Sequence, residues 1–471
     1  MITVLQSVLP FVAILVALVV FHELGHYITA KLFGVKVLEA GVGFPPRAWG
    51  FTWRGTLYSI NWLPLGGFVR LLGEEDPDDP QSLAAQARWK RLIILGSGSM
   101  MNFLLPIALF AIAFMVSRDV SVGLTQITSV VQSAPASQAE PLVVPDGLDA
   151  EELVGLQEGD IITQINGKEV RNPSEVGREI RLNLGEVLTM TVRRTLADGD
   201  TTFLDYRVEA RWSAPDIQYT VQEGDTASSV ASALGVPFGA VQSAADIDLS
   251  LDEGQELIIT TRDGETITYV VQDDDFVALV AQRLGVSRGS VREAAGLPDP
   301  NVLTVGEELS LAQGPTGITI AIWNPAFVES ESFPVWTAVA KGTREYFDVL
   351  ILFRNEILSW VKGGESPAFS GPVGIAQATG EVIDDNGWLA LLELAALLSF
   401  NLGVINALPL PMLDGGRMAF VLLEVIRRGR RIAPEKEAIV HLVGLVAILA
   451  LAALITVFDI QRLIAGESLF R

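Results

Sequence analysis

His22-Glu23-Leu24-Gly25-His26 follows directly on Met1 to Phe21, 21 residues without a charged side chain. On a helix, H-E-x-x-H puts two imidazoles one turn apart on one face, the spacing at which both can ligate a single Zn²⁺. The glutamate then stands where it can act on a metal-bound water. The chain contains three histidines, and two of them are here. The bland alternative is a packing helix with two buried, hydrogen-bonded histidines. Ionisable groups inside an apolar span are expensive in lipid and default to function, so the stretch reads as a metal site in a membrane.

A length of 471 residues favours several domains. With no cysteine, disulfides, Cys-ligated zinc and thiol catalysis are all excluded. Hydrophobic residues make up 49% of the chain and mean hydropathy is +0.39, high for a soluble protein. They gather in blocks: besides residues 1–21, Leu92 to Val116 runs 25 residues without charge, Leu394 to Leu413 runs 20 and Ala438 to Phe458 runs 21. Each is long enough to cross a hydrocarbon layer of roughly 30 Å. The first block lacks a basic leader and a small-residue cleavage site, so it reads as a retained span rather than a signal peptide. Four transmembrane helices are therefore expected.

The net charge of −23 is unevenly spread, and no nucleic-acid partner is expected. Residues 216–314 hold 17 Asp and Glu against four Arg and no Lys, a balance of −13. Within 417–436, by contrast, Arg417, Arg427, Arg428, Arg430, Arg431 and Lys436 face only Glu424 and Glu435. Lys31, Lys36, Arg47, Arg54, Arg70, Arg88, Lys90 and Arg91 likewise crowd between the first and second spans. Short basic loops stay in the cytoplasm. Both termini and the acidic segment 118–388 are then expected outside.

On that topology the first and third spans both run inward, so the third brings Asn406-Ala-Leu-Pro409-Leu-Pro411-Met-Leu-Asp414-Gly-Gly416 to the membrane face of the two histidines. A catalytic zinc takes three protein ligands and keeps a fourth position open. Asp414 is the best candidate for the third ligand; the alternative is a mere Asp-Gly turn ending a helix. Pro409 and Pro411 each remove a backbone donor and forbid regular helix. Irregular backbone at membrane depth survives only where it lines protein or a wet cavity.

These motifs resemble the site-2 protease family of intramembrane zinc metalloproteases, in its bacterial, PDZ-containing (RseP-like) branch. The resemblance rests on His22-Glu23-x-x-His26 and on Asn406-x-x-Pro409-x-Pro411-x-x-Asp414-Gly415. Gly98-x-x-x-Asn102 and Ser370-Gly-Pro-Val-Gly-Ile-Ala376 also carry it, as does Asn61-Trp-Leu-Pro-Leu-Gly-Gly-Phe68, which the family folds as a membrane-associated β-hairpin. It covers residues 1–212 and 315–462. It implies a plasma-membrane zinc metalloendopeptidase that cleaves transmembrane segments of membrane proteins, such as an anti-sigma factor or a signal-peptide remnant. His22, His26 and Asp414 would ligate zinc, Glu23 would be the catalytic base, and Asn406 would hydrogen-bond the unwound substrate backbone. Asn401 and Asn102 are secondary substrate-binding candidates; the alternative for both is an amide that holds helices together in lipid.

The fold expected is a multi-pass α-helical membrane protein with an extracytoplasmic α+β region. Its membrane core comes in two parts, 1–117 and 389–471. Leu156 to Val170, alternating around Asn166-Gly167, reads as a hairpin; with Ser133 to Ala139 it resembles a PDZ domain, placed at 118–215, with Glu140 to Val154 as an intervening surface loop. The PDZ resemblance implies either binding of peptide ends or a size filter. Residues 219–311 hold a repeat: Tyr219-Thr-Val-Gln222 matches Tyr269-Val-Val-Gln272, and Leu234-Gly-Val236 matches Leu284-Gly-Val286. Each unit reads strand, helix, helix, strand and resembles a LysM module, placed at 216–265 and 266–314. That resemblance implies binding to N-acetylglucosamine polymers such as peptidoglycan. The first unit keeps Gly224-Asp225-Thr226, the second has Asp274-Asp275-Phe276, and an acidic spacer is the alternative. Residues 315–388 are read as a strand closing the PDZ, starting at Gly317, and an amphipathic helix over 333–360 lying on the outer leaflet. His441 reads as a hydrogen-bonded packing residue in the fourth span. The rival to the protease is a non-catalytic, wall-anchored membrane scaffold that uses the PDZ and LysM modules, against which the intact Glu23 and full ligand set argue.

Overall fold

The computed structural model describes residues 2–73, 78–145, 147–196, 198–245, 251, 254–260, 266–272, 277–299, 301–364 and 370–464. They divide into two units, one formed by residues 1–120, 330–351 and 368–471, the other by 121–329 and 352–367. The first begins with helix α1 (Ile2–Leu32), hairpin strands β1 (Val37–Trp53) and β2 (Thr56–Leu71), and helix α2 (Arg88–Met115). The second contains β3 (Arg118–Val130), β4 (Ile161–Ile165), β5 (Lys168–Glu169), α3 (Pro173–Leu182), β6 (Val187–Thr195) and β7 (Thr201–Glu209). It continues with β8 (Ile217–Thr220), α4 (Ala227–Leu234), α5 (Phe238–Ala244), β9 (Glu256–Thr260), β10 (Thr266–Val270), α6 (Val277–Leu284), α7 (Arg288–Ala295), β11 (Glu308–Leu311) and β12 (Ile318–Glu331). Helices α8 (Val335–Val361), α9 (Pro372–Asn386), α10 (Ala390–Ala407), α11 (Asp414–Ile426) and α12 (Pro434–Ile464) complete the chain.

Among the described residues, four helices are long and apolar enough to cross a membrane: Ser7–Leu32, Arg88–Met115, Ala390–Ala407 and Glu435–Gln461. They fall on the four apolar blocks. The third stops at Ala407, short of Leu413, because Pro409 and Pro411 cannot continue it. Asp414 then starts α11 rather than closing a turn. Glu424, near the far end of α11, is buried and accepts from Arg88 (3.1 Å) and Arg91 (2.6 Å) on α2. Burial alone would raise its pKa, but the arginines hold it below the usual carboxylate range. Val421 joins Ala30, Val37, Leu71 and Ile94 in one apolar cluster, so α11 is fixed against α1, α2 and the hairpin. The Ser370-to-Ala376 motif forms the start of α9, where Asp459 on α12 accepts from the Gly374 N–H at 2.8 Å. The amphipathic helix expected over 333–360 is α8; Tyr346 packs its ring on Phe400 of α10 at 6.4 Å between centroids.

In the second unit, strands run in the order β12-β3-β4-β6-β7, with β5 on β4. The Asn166-Gly167 hairpin forms as expected, with Asn166 at φ 51°. The strand after Gly317 pairs with β3. The 140–154 segment is more than a surface loop: Leu153 is buried, and its carbonyl accepts from the Tyr206 hydroxyl at 2.8 Å. Arg194 and Asp160, both buried, pair at 2.6 Å beneath it.

The repeat departs from the expected boundary at 265/266. Both units show the strand–helix–helix–strand order, but β8 pairs with β11 and β9 with β10. The second unit's last strand therefore completes the first core, where Leu309 and Leu311 pack with Val221, Val230 and Val241. Leu257 and Ile259 of the first unit pack with Val271, Val280 and Val291. The boundary falls inside the β9–β10 hairpin. Strands of near-identical pattern can pair either way. Val131 and Ala134 also enter the first core, so it is continuous with the segment that follows β3 of the larger sheet. Asp274-Asp275-Phe276 lies outside the described residues.

Candidate metal centre

Helix α1 presents His22 and His26 one turn apart, both buried. Their Nε2 atoms lie 3.2 Å apart. Asp414 Oδ2, carried to the same point by the start of α11, stands 3.0 Å from His22 Nε2 and 3.1 Å from His26 Nε2. The ligand-capable atoms all fall within 4.8 Å of one another, the one such cluster of three among the described residues.

The donor chemistry of this cluster fits a cation. His26 Nδ1 lies 2.8 Å from the Ile94 carbonyl, which can only accept, so Nδ1 carries the proton and a neutral His26 aims a lone pair from Nε2 at the cluster. On the other imidazole, His22 Nδ1 lies 3.2 Å from the Asn102 amide nitrogen, while Asn102 Oδ1 is buried and unpartnered. Turning that amide over places Oδ1 where His22 Nδ1–H can donate to it, and the two ends of an amide are interchangeable by shape. Both imidazoles then direct lone pairs toward a carboxylate oxygen, an arrangement that repels itself until a cation sits in it. Two imidazoles and a carboxylate suit Zn²⁺ and leave a position open.

Helix α2 explains the remaining geometry. A Cβ on Gly98 would stand 2.3 Å from His26 Nε2 and 2.6 Å from His22 Nε2, so only glycine leaves space for the two rings. Asn102, one turn further along, is wholly buried and reaches His22. The Gly98-x-x-x-Asn102 spacing thus serves the histidines from a single helix face. Glu23, between them in sequence, is half-buried beneath β2; the Val69 backbone is within hydrogen-bonding reach of its carboxylate.

The structure therefore gathers His22, His26, Asp414, Glu23 and Asn102. Asn401 is exposed on α10, and Asn406 is half-buried with no hydrogen bond to its side chain among the described residues. Asn102 meets His22, which its reading as a substrate contact did not anticipate. His441 Nδ1 accepts from the Met412 N–H at 2.7 Å, tying it to the loop that ends at Asp414. A lone histidine inside a span was the only signal of that contact in the sequence.

Apolar helices enclosing an H-E-x-x-H helix, with a carboxylate brought in from a distant helix start, define a membrane-embedded zinc metallopeptidase. The family model for peptidase family M50 matches residues 10–451, and the chain belongs to that family. It is similar to zinc metalloprotease RasP of Oceanobacillus iheyensis, 24% identical over 98% of this chain and 100% of the relative. It is also similar to those of Geobacillus kaustophilus, 26% identical over 98% and 99%, and Bacillus licheniformis, 26% identical over 98% and 100%.

Proposed function

We propose that this chain hydrolyses a peptide bond in the transmembrane segment of another membrane protein, with His22, His26 and Asp414 holding zinc and Glu23 acting as base. The observation that carries this reading is the convergence of those three side chains within 4.8 Å, next to Glu23, with both histidines on an apolar helix long enough to cross a membrane. When bound, zinc supplies Lewis acidity toward water and the scissile carbonyl. Glu23 takes a proton from the attacking water and delivers it to the departing amine as the C–N bond breaks. Asn102 fixes the tautomer and orientation of His22. A helical substrate hides its amides in its own hydrogen bonds, so it has to unwind before attack. β2, lying over Glu23, gives it an extended strand to pair with, and the free Asn406 amide can hold the opened backbone.

Basic residues at 31–91 and 417–436 support a cytoplasmic face for those loops and an exterior position for 121–329. There the PDZ-like sheet would meet peptide ends or exclude bulky ectodomains. Peptidoglycan binding by 216–314 rests on the LysM resemblance alone, since Asp225 and Thr226 already have structural duties. Asp225 accepts from the Tyr219 hydroxyl and the Gln222 N–H, while Thr226 caps α4.

The test is Glu23→Gln, reconstituted with a single-span substrate. Zinc content and folding should persist while turnover falls by roughly 100-fold or more. Unchanged cleavage would sink the mechanism.

A further inference from the structure

Helix α12 has little protein around it: only 6% of its most apolar window is buried. Two of its residues nevertheless meet successive residues of the loop before Asp414. His441 Nδ1 accepts from the Met412 N–H at 2.7 Å. Gly444, three residues on and on the same helix face, lies so close that a Cβ there would stand 2.4 Å from Pro411 Cβ. The Phe420 ring of α11 packs on the imidazole at 5.3 Å.

Met412 is the residue that needs restraint. Its φ is 79°, in the left-handed region that an unbranched L-residue enters reluctantly. It stands two residues before Asp414, so any relaxation of its backbone toward negative φ rotates the start of α11 and swings the carboxylate away from the imidazoles. Among the described residues, the hydrogen bond to His441 is the one that holds the Met412 N–H. Because Nδ1 accepts, the imidazole proton sits on Nε2, which is buried 3.9 Å from Glu437 Oε1, beside a small pocket lined by Arg91 and Arg417 as well as by Leu83, Leu95 and Val421.

We propose that His441 is a positioning residue: by accepting from Met412 N–H it locks the Pro411–Met412 turn that sets the place of Asp414 at the metal. The proposal rests on the assignment of Asp414 as a ligand. It predicts that the acceptor atom attached to Cγ matters, and that bulk, ring or polarity alone do not.

The experiment compares His441→Asn, His441→Gln and His441→Leu in the purified full-length protein. Asparagine keeps an acceptor oxygen on Cγ, where Nδ1 was; glutamine keeps the amide but moves it one carbon outward; leucine keeps volume only. Zinc retention against a chelator should fall about 5-fold in the Gln and Leu variants, the worth of one ordinary hydrogen bond, and stay near wild type in Asn. In cleavage assays kcat should follow zinc retention with KM unchanged. If Leu is not recovered folded, the Asn and Gln pair decides. Equal retention in Asn and Gln, or wild-type retention in Leu, overturns the proposal. Asp414→Asn run alongside separates the two claims: if it too retains zinc as wild type does, the ligand assignment has failed and not merely the role of His441.

Discussion

Replacing Gly98 by alanine adds one methyl group at the tightest point of the centre. That carbon would sit 2.3 Å from His26 Nε2 and 2.6 Å from His22 Nε2, whereas ordinary contact begins near 3.4 Å. Both rings therefore have to retreat, each by about 1 Å, several times the roughly 0.2 Å that metal–ligand bonds tolerate. Rigid-body separation of α1 and α2 gives no escape, because Asp414 and Asn102 would then lose their places against the same rings. Alanine is the better helix former by about 1 kcal/mol, so α2 itself is not at risk. Zinc affinity should fall by roughly 10- to 100-fold or more, with cleavage falling in step and the helical circular dichroism unchanged. The assay is competitive zinc titration against a chelator of known affinity in detergent. Gly98→Ala protein that binds zinc as tightly as wild type would refute the account of why α2 carries glycine here.

The exchanged strands of the repeat make a sharper prediction than the repeat alone. Deleting 266–314 removes Leu309 and Leu311, wholly buried in the first core, at about 1.5–3 kcal/mol each; it should leave 217–245 open to thermolysin, while deletion of 216–314 as a whole should leave the β12-β3-β4-β6-β7 sheet resistant. Persistence of a protected 217–245 after the shorter deletion would contradict the pairing. Whole protein should be retained on purified peptidoglycan through 216–314, with little dependence on salt because that segment's balance of −13 offers no attraction to acidic wall polymers; no difference from the 216–314 deletion would leave the segment as a spacer.

Much of this centre was legible because its determinants are local or topological. H-E-x-x-H fixes its own geometry through the helical turn, and four apolar blocks with two basic loops place Asp414 at the same membrane face. Pro409 and Pro411 announce the break in α10. What escaped was decided by contacts between distant segments of like chemistry. Asn102 can read as a substrate contact or a helix-packing amide until its partner, 80 residues away, is known to be His22. His441 shows no pattern at all, since its function is a single bond to a main-chain N–H. The repeat concealed its exchange because β8, β9, β10 and β11 carry alternating patterns that satisfy either pairing equally well. Leu153 looked like part of an insertion, yet it is held by Tyr206 in the sheet.

The central claim is that His22, His26 and Asp414 hold one zinc ion between them, and the measurement closest to it is metal content. Wild-type protein purified without added metal should contain close to one zinc per chain, and X-ray absorption at the zinc edge should report two imidazole nitrogens with oxygen making up the rest. Asp414→Asn exchanges an anionic donor for a neutral one and should lower both zinc occupancy and cleavage. Full zinc and full activity in Asp414→Asn, or a wild-type spectrum without imidazole, would contradict the assignment.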